Sequence, residues 1–431
     1  MDEYEAARQN TKRYLRMKRL LEKIYHYKDF RPKQYEIVNK IVSGKDVCAV
    51  LTTGYGKSLC FQLPALYLKK PAIIVSPLIS LMDDQQMNLR KLGVRACTYN
   101  STVAKKMNLR HKILENRYRI IYITPESIVN LWNFLAELEK RVGITVVAVD
   151  EAHCISCYGY DFRPSYRQLS AIRSHLPDVP ILAVTATATE RVCQDILDVL
   201  KLRTKRVIKL SFNRPNLYLE VARMSTPEAD ILPLLKRYKM PSIIYCLTKK
   251  DTARIHKLLL QNDYAAGIYH AELEDAQKRR THRHFLHDKI QIVVATIAFG
   301  MGIDKPNIGL IIHYGVPKNL EGYFQEIGRA GRNGDLAYCY IFYHYRDFKI
   351  QESFVKRCQN SQYQMLQLEL LHKMKEYIFC HGCRRKFILA YFGETLEGSC
   401  NFCDNCLGTL VQKDQTDKRI AEPLKVELPG I

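Results

Sequence analysis

The sequence predicts an α/β protein with two parallel-sheet domains in tandem and a small helical subdomain that carries cysteines. Its 431 residues exceed what one ordinary hydrophobic core accommodates, so two large domains and a smaller appendage are expected. Apolar, strand-like runs alternate with helical segments in two separate stretches, which is typical of parallel sheets with crossover helices. Cysteines at the spacing of metal ligands follow the second stretch.

The chain divides into five predicted segments. A basic amphipathic helix is expected within residues 1–30, and the N-terminal helical segment is placed at 1–26. The first α/β domain covers 27–210, with strands at 47–51, 72–76, 120–124, 145–149 and 181–185. The polar stretch 211–216 opens the second domain, 211–346, with strands at 242–246, 265–269, 291–295, 308–313 and 337–343. A helical zinc-binding subdomain at 347–407 and a polar tail at 408–431 complete the chain.

Composition excludes several classes of protein. Hydrophobic residues make up 47% and charged residues 26% of the chain, as in folded globular proteins. No apolar run approaches the roughly 18 residues of a membrane helix, and the acidic N-terminus lacks the apolar segment of a secretory signal. We therefore expect an intracellular protein, nuclear in a eukaryote, without a membrane partner and with most of its 14 cysteines as free thiols. The net charge of +22 predicts an anionic partner, with nucleic acid favoured.

A phosphate-binding loop is predicted at residues 52–58, Thr-Thr-Gly-Tyr-Gly-Lys-Ser, between a strand and a helical segment. Its backbone amides and the N-terminus of the helix would surround the β-phosphate of ATP. Lys57 would contact the β- and γ-phosphates, and the Ser58 hydroxyl would ligate Mg²⁺. The strict signature of such loops fails at its first position, which is Leu51. The residues assigned to ATP here are Thr53, Gly54, Gly56, Lys57 and Ser58.

An acidic box, Asp-Glu-Ala-His at residues 150–153, ends the strand at 145–149. A carboxylate at the carboxyl end of a parallel strand lies beside the phosphate loop. Asp150 would hold Mg²⁺ through water, and Glu151 would orient or deprotonate the water that attacks ATP. His153 would link the box to neighbouring segments.

Taken in order, the motifs resemble those of RecQ-like superfamily 2 DNA helicases over about residues 20–407. The shortened loop Thr-Gly-x-Gly-Lys-Ser is the form that superfamily 2 helicases use. Further matching segments lie at 75–85, 185–188, 211–217, 295–306 and 325–332, the last of which resembles helicase motif VI. The resemblance implies two RecA-like domains and ATP-dependent unwinding of DNA, with 3′-to-5′ translocation on single strands.

The motif VI resemblance makes Arg329 and Arg332 the arginine-finger candidates, and Arg332 is favoured. ATP hydrolysis needs positive charge on the γ-phosphate in the transition state, and arginine meets phosphate oxygens bidentately. Both arginines belong to the second domain, so the site would be complete only when the cleft closes.

Further nucleotide contacts are implied by the resemblance alone. The family's adenine-recognition segment matches residues Tyr27, Arg31 and Gln34, and the Gln34 amide has the donor and acceptor that fit adenine N6 and N7. Asp304 would contact the ribose or couple the two domains. Thr187 would couple the nucleotide state to motion.

A track for single-stranded DNA is implied across both α/β domains. Many of its positions are hydroxyl residues at strand ends, which suit phosphate contacts without base preference. Any of them could equally cap a helix. The positions are Ser76, Pro77, Ser80, Asn100, Ser101, Thr124 and Pro125 in the first domain, and Thr248, Lys249, Tyr269, His270, Thr296 and Phe299 in the second.

An aromatic loop at residues 156–164 resembles the segment with which RecQ enzymes sense DNA and trigger hydrolysis. The family order is Ser-Gln-Trp-Gly-His-Asp-Phe-Arg-Pro, and this chain has Cys, Tyr and Tyr in place of Gln, Trp and His. Tyrosine keeps a π-face of smaller area than tryptophan, so DNA coupling is expected to be retained but weaker. Tyr158, Phe162 and Arg163 are assigned to DNA.

The helical subdomain offers thiolates for a closed, structural zinc site that supports folding rather than catalysis. The ligands predicted are Cys383, Cys400, Cys403 and Cys406. Cys380 and His381 are spare ligands, but only Cys383 precedes an Arg-Arg pair as in the family. Whether the basic residues 384–386 approach DNA or stabilise the subdomain stays open at this point.

The family often carries a winged helix and a small helical domain beyond the zinc site, and residues 407–431 are too few for either. The strand-separating hairpin of that winged helix is expected to be missing, which puts processive unwinding in more doubt than hydrolysis or translocation.

The leading function is an ATP-dependent DNA helicase of repair, recombination or replication. We expect a monomeric core with ATP, Mg²⁺ and Zn²⁺ as cofactors. Its partners would be single-stranded and tailed or branched duplex DNA, together with repair or replication proteins. A translocase or remodelling ATPase that unwinds poorly is the second reading. Intact Lys57, Asp150, Glu151 and motif VI arginines disfavour an inactive nucleic-acid-binding module, and the zinc cysteines and aromatic loop disfavour an RNA helicase.

Overall fold

The fold consists of two parallel sheets followed by a helical subdomain. A computed structural model describes residues 12–408 except 78, 100–106, 157, 159–160, 301–302, 304 and 359. Every strand pairing within the two sheets of this part of the chain is parallel. The predicted fold class, two tandem α/β domains with parallel sheets, is therefore confirmed.

The first sheet lies in the N-terminal half of the chain. Its strands are β1 (Val47–Val50), β2 (Ala72–Val75), β3 (Ala96–Tyr99), β4 (Ile120–Ile123), β5 (Val146–Val149), β6 (Ile181–Thr185) and β7 (Val207–Lys209). They are ordered β3-β4-β2-β5-β6-β1-β7. All residues of the first six strands are buried, as expected when helices cover both faces of a parallel sheet.

The second sheet repeats this architecture. Its strands are β8 (Leu217–Arg223), β9 (Ser242–Cys246), β10 (Ala266–Tyr269), β11 (Ile292–Ala295), β12 (Leu310–Tyr314) and β13 (Ala337–Tyr343). They are ordered β10-β11-β9-β12-β13-β8.

Helices surround both sheets and make up the C-terminal subdomain. Those of the first domain are α1 (Lys12–Leu20), α2 (Gln34–Val42), α3 (Leu59–Leu68), α4 (Ile79–Lys91), α5 (Met107–Leu114), α6 (Pro125–Ile128), α7 (Trp132–Arg141), α8 (Pro164–Arg167), α9 (Ile172–His175) and α10 (Glu190–Val199). The second domain has α11 (Pro227–Tyr238), α12 (Lys249–Gln261), α13 (Asp275–Leu286) and α14 (Leu320–Ile327), and the subdomain has α15 (Tyr345–Val355), α16 (Ser361–Ile378) and α17 (Arg384–Tyr391). Across the described residues, no helix combines the length and apolar character of a bilayer span.

The sequence prediction missed three strands, and all three lie at sheet edges. β3 and β7 are the two edges of the first sheet, and β8 is one edge of the second. The apolar pattern of these strands is weak because β7 has only three residues, and Thr98 in β3 and Glu220 in β8 interrupt the apolar run. The ten predicted strands are present, with bounds that differ by at most two residues. The predicted N-terminal helix is observed as α1 and a π-helical turn, Leu21–Tyr25, whereas residues 1–11 lie outside the described part.

One hydrophobic cluster runs through both domains and the subdomain. It includes Val50 of β1, Ile311 of β12 and Phe392 just after α17, and Phe212 of the segment between the sheets also belongs to it. The three parts of the chain therefore share one continuous apolar interior at their junction.

Candidate active site and zinc centre

The phosphate loop connects β1 to α3 at the edge where the parallel strands end. Gly54 and Gly56 have φ angles of +79° and +85°, in the left-handed region where a side chain would be strained. Ser58 immediately precedes α3. Lys57 extends from the loop so that its Nζ lies 3.3 Å from Glu151 Oε1. The structure thus brings the predicted phosphate loop and acidic box together.

The acidic box follows β5 directly. The backbone NH of Asp150 donates to Val75 C=O at 2.9 Å, and the Tyr166 hydroxyl donates to Asp150 C=O at 2.9 Å. Burial raises the pKa of the Asp150 carboxyl to about 6, against the opposing charge of Lys57. Burial also opposes ionisation of Glu151, but Lys57, His153 and Arg329 together outweigh it and hold the Glu151 pKa below its ordinary value. Glu151 is therefore the carboxylate of the box that stays ionised most readily.

The acidic box is joined to the strand beside it through His153. Its Nδ1 lies 2.8 Å from the Thr185 hydroxyl, which in turn donates to the Thr187 carbonyl at 3.2 Å. Burial lowers the pKa of His153, which favours the neutral ring. These bonds join the acidic box to the segment that the resemblance associates with motion.

The two motif VI arginines face the phosphate loop from the second domain. A Cβ placed on Gly54 would lie 2.7 Å from Arg332 Cδ, so the Arg332 side chain passes directly over the loop. Arg332 Nη1 donates to the Ile303 carbonyl at 2.6 Å. Arg329 is 3% exposed, its charge acts on Glu151, and its Nε has no hydrogen-bond partner among the described residues. The arginine-finger role itself stays a prediction.

A glutamine that the sequence analysis left without a role contacts Ser58, the predicted magnesium ligand. Gln85 Nε2 donates to Ser58 Oγ at 2.9 Å, and Gln85 Oε1 accepts from the buried Tyr122 hydroxyl at 3.0 Å. Gln62 Nε2 also donates to Gln85 Oε1 at 3.2 Å. The only sequence signal was the position of Gln85 at the end of the 75–85 segment.

The adenine-recognition residues lie beside the phosphate loop. The Gln34 amide is engaged by the protein, because Nε2 donates to Tyr55 C=O at 3.0 Å and Oε1 accepts from the Arg31 backbone NH at 2.9 Å. Arg31 Nη1 donates to Gly54 C=O at 2.6 Å. Tyr27 is 55% exposed and stacks on Tyr25. Gln34 thus holds the loop, and adenine recognition stays a prediction.

Most of the predicted DNA-track residues that the structure describes lie at the carboxyl edges of the two sheets. Because parallel strands end at one edge, residues that follow different strands become neighbours there. Ser76 and Pro77 follow β2, Thr124 and Pro125 follow β4, Thr248 and Lys249 follow β9, His270 follows Tyr269 at the end of β10, and Thr296 follows β11.

Three of these positions have structural contacts that account for them without DNA. The Phe299 ring is 2% exposed and packs on Tyr269 at a centroid distance of 4.8 Å, so it is a core residue here and not an exposed platform for a base. The Thr124 and Thr248 hydroxyls cap α6 and α12, which is the alternative anticipated for such residues.

Four predicted site residues have no described side chain. Asn100, Ser101 and Asp304 lie outside the described residues. Ser80 lies in α4, whose backbone is described, but its side chain is not.

The aromatic loop contacts both the first domain and the helical subdomain. The Arg191 guanidinium lies 3.6 Å from the centre of the half-exposed Tyr158 ring, a close cation–π contact. The Phe162 ring lies 6.1 Å from that of Tyr363 in α16. Arg163 Nη1 donates to Pro77 C=O at 3.3 Å. The loop therefore contacts Pro77, a predicted DNA-track residue, and the helical subdomain, and its role in sensing DNA stays a prediction.

Replacing Tyr158 and Phe162 together with alanine is expected to reduce the stimulation of ATP hydrolysis by single-stranded DNA at least about tenfold. Stacking of one base on an aromatic ring contributes roughly 1–3 kcal/mol. The measurement is the ratio of ATPase rates with and without a saturating oligonucleotide. Tyr345→Ala, which removes a tyrosine that is 56% exposed on α15, is the matched control. A stimulation ratio that stays at the wild-type value in the double variant would contradict the role of the loop.

The zinc centre is formed by the four predicted cysteines. The thiol sulfurs of Cys383, Cys400, Cys403 and Cys406 all lie within 4.8 Å of one another, and four thiolates suit a closed tetrahedral zinc site. Cys380 and His381 are not part of this cluster. The donor set therefore fits zinc.

The zinc segment is attached to the exposed edge of the second sheet. Cys403 forms a parallel bridge with Leu219 of β8, and the Asp404 backbone NH donates to Leu219 C=O at 3.0 Å. Arg384 Nε donates to both oxygens of Asp404, at 2.9 and 3.1 Å, and Arg385 Nη2 donates to Leu217 C=O at 2.5 Å. Both arginines are buried. These contacts assign Arg384 and Arg385 to stabilising the subdomain, whereas Lys386 is exposed and the question stays open for it.

Three family models match the chain along most of its length. The DEAD/DEAH box helicase model matches residues 31–196, the helicase conserved C-terminal domain model matches 228–334, and the RecQ zinc-binding model matches 345–407. The order of the three models is that of the two sheets and the cysteine-bearing subdomain.

Relatives and solved structures agree with this assignment. A protein of Acanthamoeba polyphaga mimivirus, named as an ATP-dependent RNA helicase, is 53% identical over 97% of this chain and 77% of its own length. The ATP-dependent DNA helicase RecQ of Bacillus subtilis is 36% identical over 93% of this chain and 68% of its own length. The fold matches that of the DEAD-box helicase Mss116 bound to single-stranded RNA, with a TM-score of 0.62, 18% identity, and coverage of 86% of this chain and 88% of that one. The chain belongs to the RecQ family of superfamily 2 ATP-dependent helicases.

Proposed function

We propose that this RecQ-family helicase acts on DNA, hydrolysing ATP to move 3′-to-5′ along a single strand and to separate duplex or structured DNA in repair, recombination or replication. The observation that best supports this function is the close approach of the Arg332 side chain to Gly54 of the phosphate loop. Residues of both domains line one nucleotide site, so a change of nucleotide state changes the position of one domain against the other.

Each residue of the nucleotide site has a separate role in ATP hydrolysis. Lys57 holds the β- and γ-phosphates. Ser58 and Asp150 would hold Mg²⁺, which would neutralise charge on the phosphate oxygens. Glu151, kept ionised by Lys57, accepts a proton from the attacking water or orients it. Arg329 and Arg332 stabilise the charge that develops on the γ-phosphate. The DNA track at the carboxyl edges of the sheets then carries the strand as the domains close and open.

We favour DNA over RNA as the substrate because the aromatic loop and the zinc-binding subdomain are both part of the resemblance to RecQ DNA helicases. The mimivirus relative is named as an RNA helicase, so an RNA-directed motor is the second candidate. A translocase that unwinds poorly is the third.

One set of assays separates these candidates. ATPase rates would be measured without nucleic acid, with single-stranded DNA and with RNA of the same sequence, with Lys57→Ala as the inactive control. Unwinding of 3′-tailed and 5′-tailed DNA duplexes would be followed in parallel. Stimulation by DNA with unwinding of the 3′-tailed duplex alone is expected. Stimulation by RNA only would contradict the DNA assignment, and DNA stimulation without unwinding would favour the translocase.

A further inference from the structure

The segment between the two sheets is held by the zinc-bearing subdomain. β7 ends at Lys209 and β8 begins at Leu217, so residues 210–216 form the connection between the domains. Phe212 in this linker is 1% exposed. Its ring stacks on that of Phe392 at a centroid distance of 4.3 Å and an angle of 16°, and meets Phe324 of α14 edge-on at 5.6 Å.

Glu394, two residues beyond Phe392, binds the same linker through its carboxylate. One oxygen accepts a hydrogen bond from the Ser211 hydroxyl at 2.7 Å, and the other accepts from the Phe212 backbone NH at 2.8 Å. The Glu394 backbone NH donates to Leu389 C=O of α17 at 2.8 Å, which fixes the residue against its own helix. A carboxylate held at both oxygens defines the position of the linker backbone.

The other end of the linker holds the turn that carries the two motif VI arginines. Arg214 Nη2 donates to the carbonyls of Ala330 and Gly331 at 2.8 and 2.9 Å. Asn216 Nδ2 donates to Gly331 C=O at 3.0 Å and to Asp335 C=O at 2.8 Å. Ala330 and Gly331 stand between Arg329 and Arg332 in the chain. Gly331 has a φ of +56°, a conformation that these bonds to its carbonyl help to maintain.

We infer that Glu394 and Phe392 of the zinc-bearing subdomain are positioning residues for the motif VI arginines, acting through the linker at 210–216. Neither residue is among the predicted contacts to nucleotide or DNA. They fix the Ser211–Phe212 end of the linker, and the Arg214–Asn216 end fixes the backbone between Arg329 and Arg332. The kinetic consequence rests on the proposed function, because the arginines matter for catalysis only if they complete the ATPase site.

This arrangement predicts an effect on turnover more than on ATP binding. A looser linker would let the arginines occupy a wider range of positions over the γ-phosphate, and a small misplacement of a stabilising group lowers the rate of the chemical step strongly. Lys57 and the phosphate loop, which belong to the first domain, would still bind ATP. A change in kcat with little change in KM is the signature of an interaction made mainly in the transition state.

The kinetic test compares Glu394→Gln, Ser211→Ala and the double variant with the wild type. Glu394→Gln is expected to lower kcat for DNA-stimulated ATP hydrolysis about tenfold, with KM for ATP within about twofold and zinc content unchanged. Both variants disrupt the Ser211–Glu394 contact, and Ser211→Ala also removes the hydrogen bond that the Asn213 backbone NH donates to the Ser211 hydroxyl. The loss in the double variant should therefore be smaller than the two single losses combined. Glu397→Gln, at an exposed glutamate three residues further on, is the matched control. Additive losses in the double variant, or a wild-type kcat in Glu394→Gln, would overturn the inference.

A second measurement does not depend on activity. Hydrogen exchange would be followed in peptides that cover residues 208–217 and 326–334 in the same zinc-loaded proteins. Glu394→Gln is expected to accelerate exchange in both peptides, and Ser211→Ala, which leaves the zinc subdomain untouched, should do so to a smaller extent. Faster exchange in 208–217 with no change in 326–334 would refute the coupling. If the wild type shows no DNA-stimulated hydrolysis, the proposed function fails, and the exchange data alone still decide whether the linker joins the two regions.

Discussion

Replacing Glu151 with glutamine is expected to lower kcat for ATP hydrolysis by roughly 10²–10⁴-fold, the contribution typical of a positioned general base, while ATP still binds. Glu151 follows β5 in a left-handed conformation with φ of +49°, and its Oε1 lies 3.3 Å from Lys57 Nζ. The glutamine keeps the size of the side chain and loses the ability to accept a proton.

The expected result distinguishes Glu151 from Lys57, which lies next to it. Lys57→Ala removes a phosphate contact, so it should weaken nucleotide binding as well as turnover, whereas Glu151→Gln should affect turnover alone. Binding of a fluorescent ATP analogue and single-turnover hydrolysis would be measured for both variants. Glu190→Gln, at an exposed glutamate of α10, controls for the loss of one negative charge. Glu151→Gln turnover within about tenfold of the wild type would assign the base to another group.

The sequence was most informative where function depends on consecutive residues. The phosphate loop, the acidic box and motif VI are each short segments, and their chemistry follows from residue types at fixed spacing. Their meeting in space was also predictable, since parallel strands place such segments at one edge of a sheet. The same rule collected most of the predicted DNA-track residues at the ends of β2, β4, β9, β10 and β11.

The parts that were missed depend on contacts between distant residues. Gln85 reaches Ser58 only after α4 packs beside the phosphate loop. Phe299 resembled an exposed aromatic of a DNA track, but packing against Tyr269 buries it. The Arg384–Asp404 pair and the Glu394–Ser211 contact join residues 20 and 183 positions apart. No local pattern in the sequence distinguishes these side chains from solvated charges.

Removing zinc is expected to detach the zinc segment from β8 and to destabilise the second domain. The thiolates fix the 400–406 segment, and that segment presents Cys403 and Asp404 to the edge of the second sheet. Without the metal, Asp404 would no longer be held against Arg384, which is 3% exposed. A buried charge left without its partner costs about 3–5 kcal/mol, and structural zinc sites contribute further folding free energy. Cys403→Ser, or excess chelator, should therefore lower the free energy of unfolding of the second domain by at least about 3 kcal/mol.

Thermal unfolding with parallel zinc analysis would test this expectation, and Cys380→Ser provides the matched control. Cys380 lies three residues before Cys383 but outside the cluster of four sulfurs, so its variant should keep one zinc per chain and the wild-type unfolding transition. Loss of zinc from Cys380→Ser would show that Cys380 is a zinc ligand. A Cys403→Ser protein that loses zinc but keeps wild-type stability would show that the β8 edge is held without the metal. In that case the subdomain would be attached to the second domain by the buried Arg384–Asp404 pair and the Arg385–Leu217 hydrogen bond, neither of which needs a thiolate.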